Sequence, residues 1–269
     1  MSRLHLHILG SGSKGNCALI EGPQGLIMVD DGLSRRETLK RMAELGLSAD
    51  NVSALLVTHE HSDHIKGLDV WCKHWRGPLF ASRNTLASKE SLAHVPVEEF
   101  DPGDVLEIAG VRIQTYSTSH DVINPVGYRF DALGDSIGFA TDTGELSSHA
   151  IDTLKDCRVL ALESNHDVAM LRQGDYPRFL QERILSAKGH LSNDQAANAA
   201  RELVTVRTEQ LIAMHISQDN NRPSLTVKSY ARALDATLDD ELGSTATRHS
   251  GSQQLTICPA GQYRPMTIQ

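Results

Sequence analysis

Residues 53–67 read SALLVTHEHSDHIKG. The segment SALLVTH begins as a short apolar run of the kind that forms a buried strand, and it ends in the first of several histidines. His59, His61, Asp63 and His64 then fall within six residues of one another. Imidazole nitrogens and a carboxylate suit Zn²⁺ or another borderline divalent ion, Mn²⁺ and Fe²⁺ included. Four such groups directly after an apolar strand have no packing explanation. On a loop, His59 and His61 can point one way while Asp63 and His64 point another, so one short segment can serve two ions.

Two coordination spheres need more donors than this loop holds. The candidates stand at other strand ends or in adjoining loops: His120 in STSHD, Asp142 in ATDTG and His215 in AMHIS. Asp142 comes after the buried run IGFAT, and its two carboxylate oxygens can bridge a cation pair. Asp121 would have to turn away from the site if His120 is a ligand.

Upstream, ILGSGSKGNC at 8–17 carries the spacing Gly10-x-Gly12-x-x-Gly15, with Asp30 and Asp31 further on. A dinucleotide fingerprint requires a helix after such a loop, its N-terminus holding the pyrophosphate. Here the loop leads into CALIEG, the turn PQG and LIMVD, which is strand, turn, strand. The match is formal only. The glycines are expected to make a tight turn, on which Ser13, Lys14 and Asn16 offer donors to a nearby site or substrate.

The same patterning predicts a helix over 35–46 capped by Ser34 and stopped by Gly46, and another over 64–76. A small helix is expected near 83–89, and helices near 147–155, 177–187, 192–205 and 224–238. Strands are expected at 4–9, 53–59, 158–164 and 209–217, with hairpins around Gly110 and Gly134. Residues 243–254, GSTATRHSGSQQ, read as an exposed loop before the short strand LTIC. Strand-rich halves with helices between them predict two sheets packed face to face and covered by helices.

A 40% apolar and 22% charged chain of 269 residues has the balance of an ordinary globular protein. Its formal charge of -8 argues against unguided attraction to a polyphosphate, although a local basic rim is compatible with it. No apolar run reaches the roughly 18 residues of a membrane span, and no secretory signal pattern is visible. Cys17, Cys72, Cys157 and Cys258 form no CxxC, which fits free thiols and a cytoplasmic location.

In order along the chain, the Asp30 region, His59-x-His61-x-Asp63-His64, His120, Asp142 and His215 resemble the motifs of the metallo-β-lactamase fold superfamily. The resemblance covers most of the chain. It implies an α+β four-layer αββα sandwich, a metallo-β-lactamase fold, with residues 1–269 as a single domain. It also implies two divalent ions, Zn or Mn with Fe possible. His59, His61 and His120 would hold one; Asp63, His64 and His215 would hold the other, with Asp142 between them. Asp30 or Asp31 would brace the HxHxDH loop by hydrogen bonds.

The stretches GSGSKGN, DDGLS, ESNHD at 163–167 and GHLSN at 189–193 resemble the WalJ/YycJ branch, whose members look like DNA exonucleases. A further likeness to RNase Z implies that Glu163 supports His190. ESNHD departs from the HEATF pattern of those enzymes, GHLS departs from HST, and no long tRNA-gripping arm is present. These departures weigh against a tRNA substrate more than against phosphodiester chemistry.

The resemblance therefore implies a binuclear-metal phosphodiester hydrolase acting on DNA ends, a 5′-to-3′ exonuclease. Ions roughly 3.5–4 Å apart can share a hydroxide that attacks phosphorus. Asp63 would orient that nucleophile, and His190 would protonate the leaving oxygen. His166 would contact a ligand residue or the substrate. A small-molecule or RNA phosphodiesterase is the alternative enzyme. A DNA-binding scaffold with a vestigial site is the alternative without catalysis, and seven positions that all carry competent ligand groups argue against it.

Overall fold

The computed structural model describes residues 3–269, which fall into two compact units. One comprises the chain up to Ser117 with Val122–Asp135 and Gly261–Gln269; the other comprises Thr118–Asp121 with Ser136–Ala260.

In the first unit, β1 (His5–Gly10), β2 (Cys17–Gly22) and β3 (Gly25–Val29) make an antiparallel meander. The expected strand–turn–strand after the glycine loop is present. β4 (Val52–Val57), β5 (Leu79–Ser82) and β6 (Val97–Phe100) extend the sheet in parallel, and a final strand, Met266–Ile268, closes its other edge against β1. One face buries Leu9, Leu19, Met28, Leu55 and Val57 against Met42, Leu68 and Trp71. Met42 comes from α1 (Arg35–Glu44), which starts where expected: the Ser34 hydroxyl accepts from the Glu37 N–H. Gly46, at φ +74°, turns the chain away after it.

The helix expected over 64–76 is two helices, α2 (Ser62–Ile65) and α3 (Leu68–His74). The physical cause is a diverted hydrogen bond. In a continuous helix the Gly67 N–H would donate to the Asp63 carbonyl. Here it donates to Asp31 O at 2.7 Å, while Asp63 O accepts from Asn16 N at 2.7 Å. The helix expected near 83–89 is a series of turns ahead of a one-turn 3₁₀ helix at Glu90–Leu92. Asn84 at φ +64° lies outside the helical region and breaks it. β7 (Val105–Ile108), β8 (Val111–Ser117) and β9 (Val126–Ala132) form a second antiparallel meander, turning at Gly110 as expected. It meets the sheet through Tyr128, whose hydroxyl donates to Val57 O at 2.6 Å.

In the second unit, β10 (Asp135–Ala140) and β11 (Val159–Glu163) run parallel, as do β11 and β12 (Gln210–Met214). The helices are α4 (Ser148–Leu154), α5 (Val168–Gln173), α6 (Arg178–Leu185), α7 (Asn193–Leu203) and α8 (Pro223–Leu234). All but α5 keep to the expected spacing. α5 is a short helix capped by Asp167, whose carboxylate accepts from the Met170 N–H at 2.8 Å. After the two-residue β13 (Thr237–Leu238), the expected loop at 243–254 is instead largely paired. β14 (Ala246–Ser250) and β15 (Gln253–Pro259) form a hairpin turning at Gly251, φ +61°, and β15 joins β12 in parallel. Arg248, His249, Ser250, Gln253 and Gln254 leave the hairpin tip without an apolar alternation, so no strand signal shows in the sequence. Among the described residues, no helix is long and apolar enough to cross a membrane.

Candidate functional site

In the first unit the HxHxDH loop leaves the carboxyl end of β4, and Asp30 leaves the carboxyl end of the neighbouring parallel strand β3. Asp30 sits in the left-handed region at φ +60°, which Asp enters more readily than most residues. Its carboxylate accepts from Thr58 N at 2.8 Å, from Thr58 Oγ1 at 2.8 Å and from His64 Nδ1 at 2.7 Å. The Thr58 hydroxyl in turn accepts from His59 Nδ1 at 3.0 Å. A relay therefore fixes both imidazoles with the proton on Nδ1 and the lone pair on Nε2. The His59 and His61 rings are 4.9 Å apart, edge to face, and those of His59 and His64 are 4.0 Å apart.

The glycine turn locks this loop from outside. Asn16 donates through its backbone to Asp63 O, and its amide lies 3.1 Å from Asp63 Oδ2 and 3.0 Å from His64 Nε2. Asn16 Oδ1 accepts from Gly12 N at 2.7 Å, which holds the side chain in that pose. Ser13 and Lys14 are exposed on the same turn. Of the two aspartates expected to brace the loop, Asp30 does so with its carboxylate. Asp31 does so mainly with its backbone, donating to His64 O at 2.8 Å and accepting from Gly67 N. Burial pushes the Asp31 carboxyl up to about 7, against a hydrogen bond from Thr38 that lowers it.

In the second unit, Asp142, Glu163 and His215 stand at the carboxyl ends of β10, β11 and β12, three neighbouring parallel strands. Asp142 and His215 are left-handed, at φ +53° and +52°. Glu163 Oε1 accepts from His190 Nδ1 at 2.7 Å and from His215 Nδ1 at 3.0 Å. Its other oxygen accepts from the backbone N–H groups of Thr143 and Leu191 at 3.0 and 3.2 Å. Burial alone would raise this carboxyl; the charge of His190 and the hydrogen bonds from His190 and His215 outweigh it and bring it to about 2. Asp142 Oδ1 lies 3.5 Å from His215 Nδ1 and 3.8 Å from His190 Nδ1.

His120 Nδ1 donates to Gly189 O at 3.0 Å, and its ring is 5.0 Å from that of His190. Burial lowers the His120 pKa. Asp121 forms an ion pair with Arg183, with Nη2 to Oδ1 at 3.0 Å. His166 is fully buried, neither ring nitrogen has a hydrogen-bond partner among the described residues, and burial brings its pKa down to about 4.

These donors suit a divalent ion. His59, His64, His120 and His215 each present Nδ1 to an oxygen acceptor, the arrangement that leaves Nε2 basic and aimed for a metal. Asp142, Glu163, His190 and His215 place one potential ligand atom each within 4.8 Å of one another. Sequence patterning missed Thr58, although it immediately precedes the motif. It also missed the Gly189 carbonyl, an acceptor every residue owns and no letter marks.

The model of the Beta-lactamase superfamily domain matches residues 26–216, and the chain belongs to the metallo-β-lactamase superfamily. It is a hydrolase of that fold, and its histidine and aspartate clusters suit divalent-metal binding. Among individual proteins, it is 36% identical to Exodeoxyribonuclease YycJ of Bacillus anthracis over 86% of this chain and 89% of the relative. It is 34% identical to Exodeoxyribonuclease WalJ of Streptococcus pneumoniae, over 80% of this chain and 82% of that one. The crystal structure of the metallo-β-lactamase fold protein YhfI from Bacillus subtilis shares the fold, with a TM-score of 0.69 and 13% identity over 99% of this chain and 100% of that one.

Proposed function

We propose that this protein is a binuclear-metal phosphodiester hydrolase that degrades DNA from its ends, in the 5′-to-3′ direction. The observation that carries the proposal is Glu163, one buried carboxylate holding both a candidate proton donor, His190, and a candidate metal ligand, His215. The similarity to two proteins named exodeoxyribonucleases supports DNA as the substrate class. His59, His61 and His120 would hold one ion and Asp63, His64 and His215 the other, with Asp142 shared, as Zn²⁺ or Mn²⁺ and with Fe²⁺ also suited. When bound, the ions supply Lewis-acid polarisation of the phosphoryl group and an acidified water at neutral pH.

The chain's own residues do the rest. Asp63, held by the Asn16 amide, orients the attacking water through its carboxylate. His190 is the one imidazole of the second cluster with appreciable exposure, at 16%, so it can reach a substrate oxygen. It donates a proton there while Glu163 keeps its ring in place. Ser13 and Lys14, exposed on the turn beside Asn16, contact substrate phosphates, and His166 backs the Glu163 cluster. The family match over residues 26–216 runs through segments of both units, which supports reading residues 1–269 as one domain. Cys17, Cys72 and Cys157 are buried free thiols, in keeping with a cytoplasmic protein.

The test is digestion of end-labelled DNA with Mn²⁺, Zn²⁺, Mg²⁺ or chelator, run beside His64→Ala. Labelled mononucleotide should leave the 5′ terminus alone, only with metal, and not with the variant. Rapid turnover of bis-p-nitrophenyl phosphate without any attack on DNA ends would instead identify a small-molecule phosphodiesterase.

A further inference from the structure

We propose that His5, His7 and Glu21 form a separate divalent-ion site of the 2-His-1-carboxylate type, suited to Zn²⁺. The residues lie on β1 and β2 of the first unit and belong to neither cluster described above. His5 and His7 are two apart on a strand, so both side chains project from the same face. Glu21 is the direct cross-strand partner of His5 in the β1–β2 ladder and shares that face. The register alone thus brings two imidazoles and a carboxylate together.

Their donor atoms are hydrogen-bonded to one another and close enough to share one ion. Glu21 Oε2 is 3.0 Å from His5 Nδ1 and 3.1 Å from His7 Nε2, and the three donor atoms all lie within 4.8 Å of one another. Donors bound roughly 2.0–2.1 Å from one ion stand roughly 3–3.4 Å apart, so small adjustments complete a coordination triangle. The Thr267 hydroxyl lies 2.9 Å from His7 Nδ1. With the Nδ1 proton on that bond, the Nε2 lone pair turns toward the ion, which is how ligating histidines are generally oriented.

The His7 side chain is 4% exposed, whereas those of His5 and Glu21 are 32% and 44% exposed. The triad therefore has a fixed inner ligand and an open outer side for ion entry and for water to fill the remaining positions. Two neutral imidazoles with one carboxylate carry a single negative charge, which partly neutralises a divalent cation. This donor set favours Zn²⁺ and related borderline ions over Mg²⁺ or Ca²⁺.

The test is equilibrium dialysis of the full chain against Zn²⁺ alone, with ion content per chain measured beside His5→Gln, His7→Gln and Glu21→Gln. The wild type should hold one more ion than each variant, or bind its last ion at least about tenfold more tightly. Co²⁺ substitution should show visible absorption that His5→Gln removes, while DNA hydrolysis by His5→Gln equals that of the wild type. His5 and Glu21 are exposed enough for their variants to fold even if His7→Gln does not. Equal ion content and affinity in the wild type, His5→Gln and Glu21→Gln would overturn the proposal. So would loss of hydrolysis in step with loss of the ion, which would assign the triad to the hydrolytic centre. A failure of this site leaves the hydrolase reading untouched, because none of its residues enters that mechanism.

Discussion

Asp30 shows how much depends on one carboxylate: it accepts three hydrogen bonds, one from His64 and two from Thr58. In Asp30→Asn an amide N–H must face one of these donors. The expected cost is about 1–3 kcal/mol of stability in urea unfolding, together with a drop of about 10–100-fold in divalent-ion affinity measured by chelator competition. Glu163→Gln removes the charge that orients His190. Turnover should fall by about 10²-fold or more while far-ultraviolet circular dichroism stays unchanged. Asp31 has the opposite electrostatics, because burial raises its carboxyl to about 7 from an ordinary 3.8. Between those values the folded protein binds more protons at this site than the unfolded chain does. The residue therefore costs stability progressively as pH rises from about 4 to 7, and the cost is constant above that. Relative to Asp31→Asn, the wild type should lose stability across that window and run parallel to it at higher pH, as read by denaturant titration.

At the scale of elements, the HxHxDH loop is sewn between two others. Asn16 binds Asp63 O, Asp31 binds His64 O and Gly32 binds Asn16 O, all through backbone N–H groups. A Cβ on Gly32 would lie 1.6 Å from the Asp63 carbonyl oxygen, in backbone that has nowhere to retreat. Gly32→Ala should destabilise by about 3 kcal/mol and lower ion content, with thermal unfolding and elemental analysis as the readouts. This lacing also marks the limit of what the sequence discloses. The β2–β3 hairpin, α1 and the strands ending at Val57, Glu163 and Met214 were legible because apolar periodicity and turn residues agree there. The break at Gly67 was not, since it depends on which distant groups take the Asp63 carbonyl and the Gly67 N–H. Nor was the β14–β15 hairpin, whose polar tip has no apolar stripe. For the site, residue types and spacing named the candidate donors, but the Thr58 hydroxyl and the Gly189 carbonyl meet their histidines only once the chain is folded.

For the whole molecule, the formal charge of -8 governs how a polyanion is met. If DNA is the substrate, as proposed, favourable contact falls to bound ions and exposed cations such as Lys14, so engagement should be local and should favour termini. A covalently closed circle should compete poorly with linear DNA of the same length. Raising salt from roughly 50 to 200 mM should weaken binding by less than the about 10³-fold typical of proteins with six or more phosphate contacts. Removing the ions with chelator should abolish hydrolysis, and resupplying them should restore it.

Asp30, Asp142 and His215 all adopt positive φ, and of the amino acids that grip divalent cations, Asp, Asn and His are the ones most at ease there. Glu carries the same carboxylate as Asp, and Cys offers a thiolate, yet either would have to twist against the main chain before its head group came into play. Anyone hoping to retune the bound element by swapping donors at 142 or 215 therefore meets a torsional filter ahead of any coordination preference, and the repertoire at those codons narrows to three.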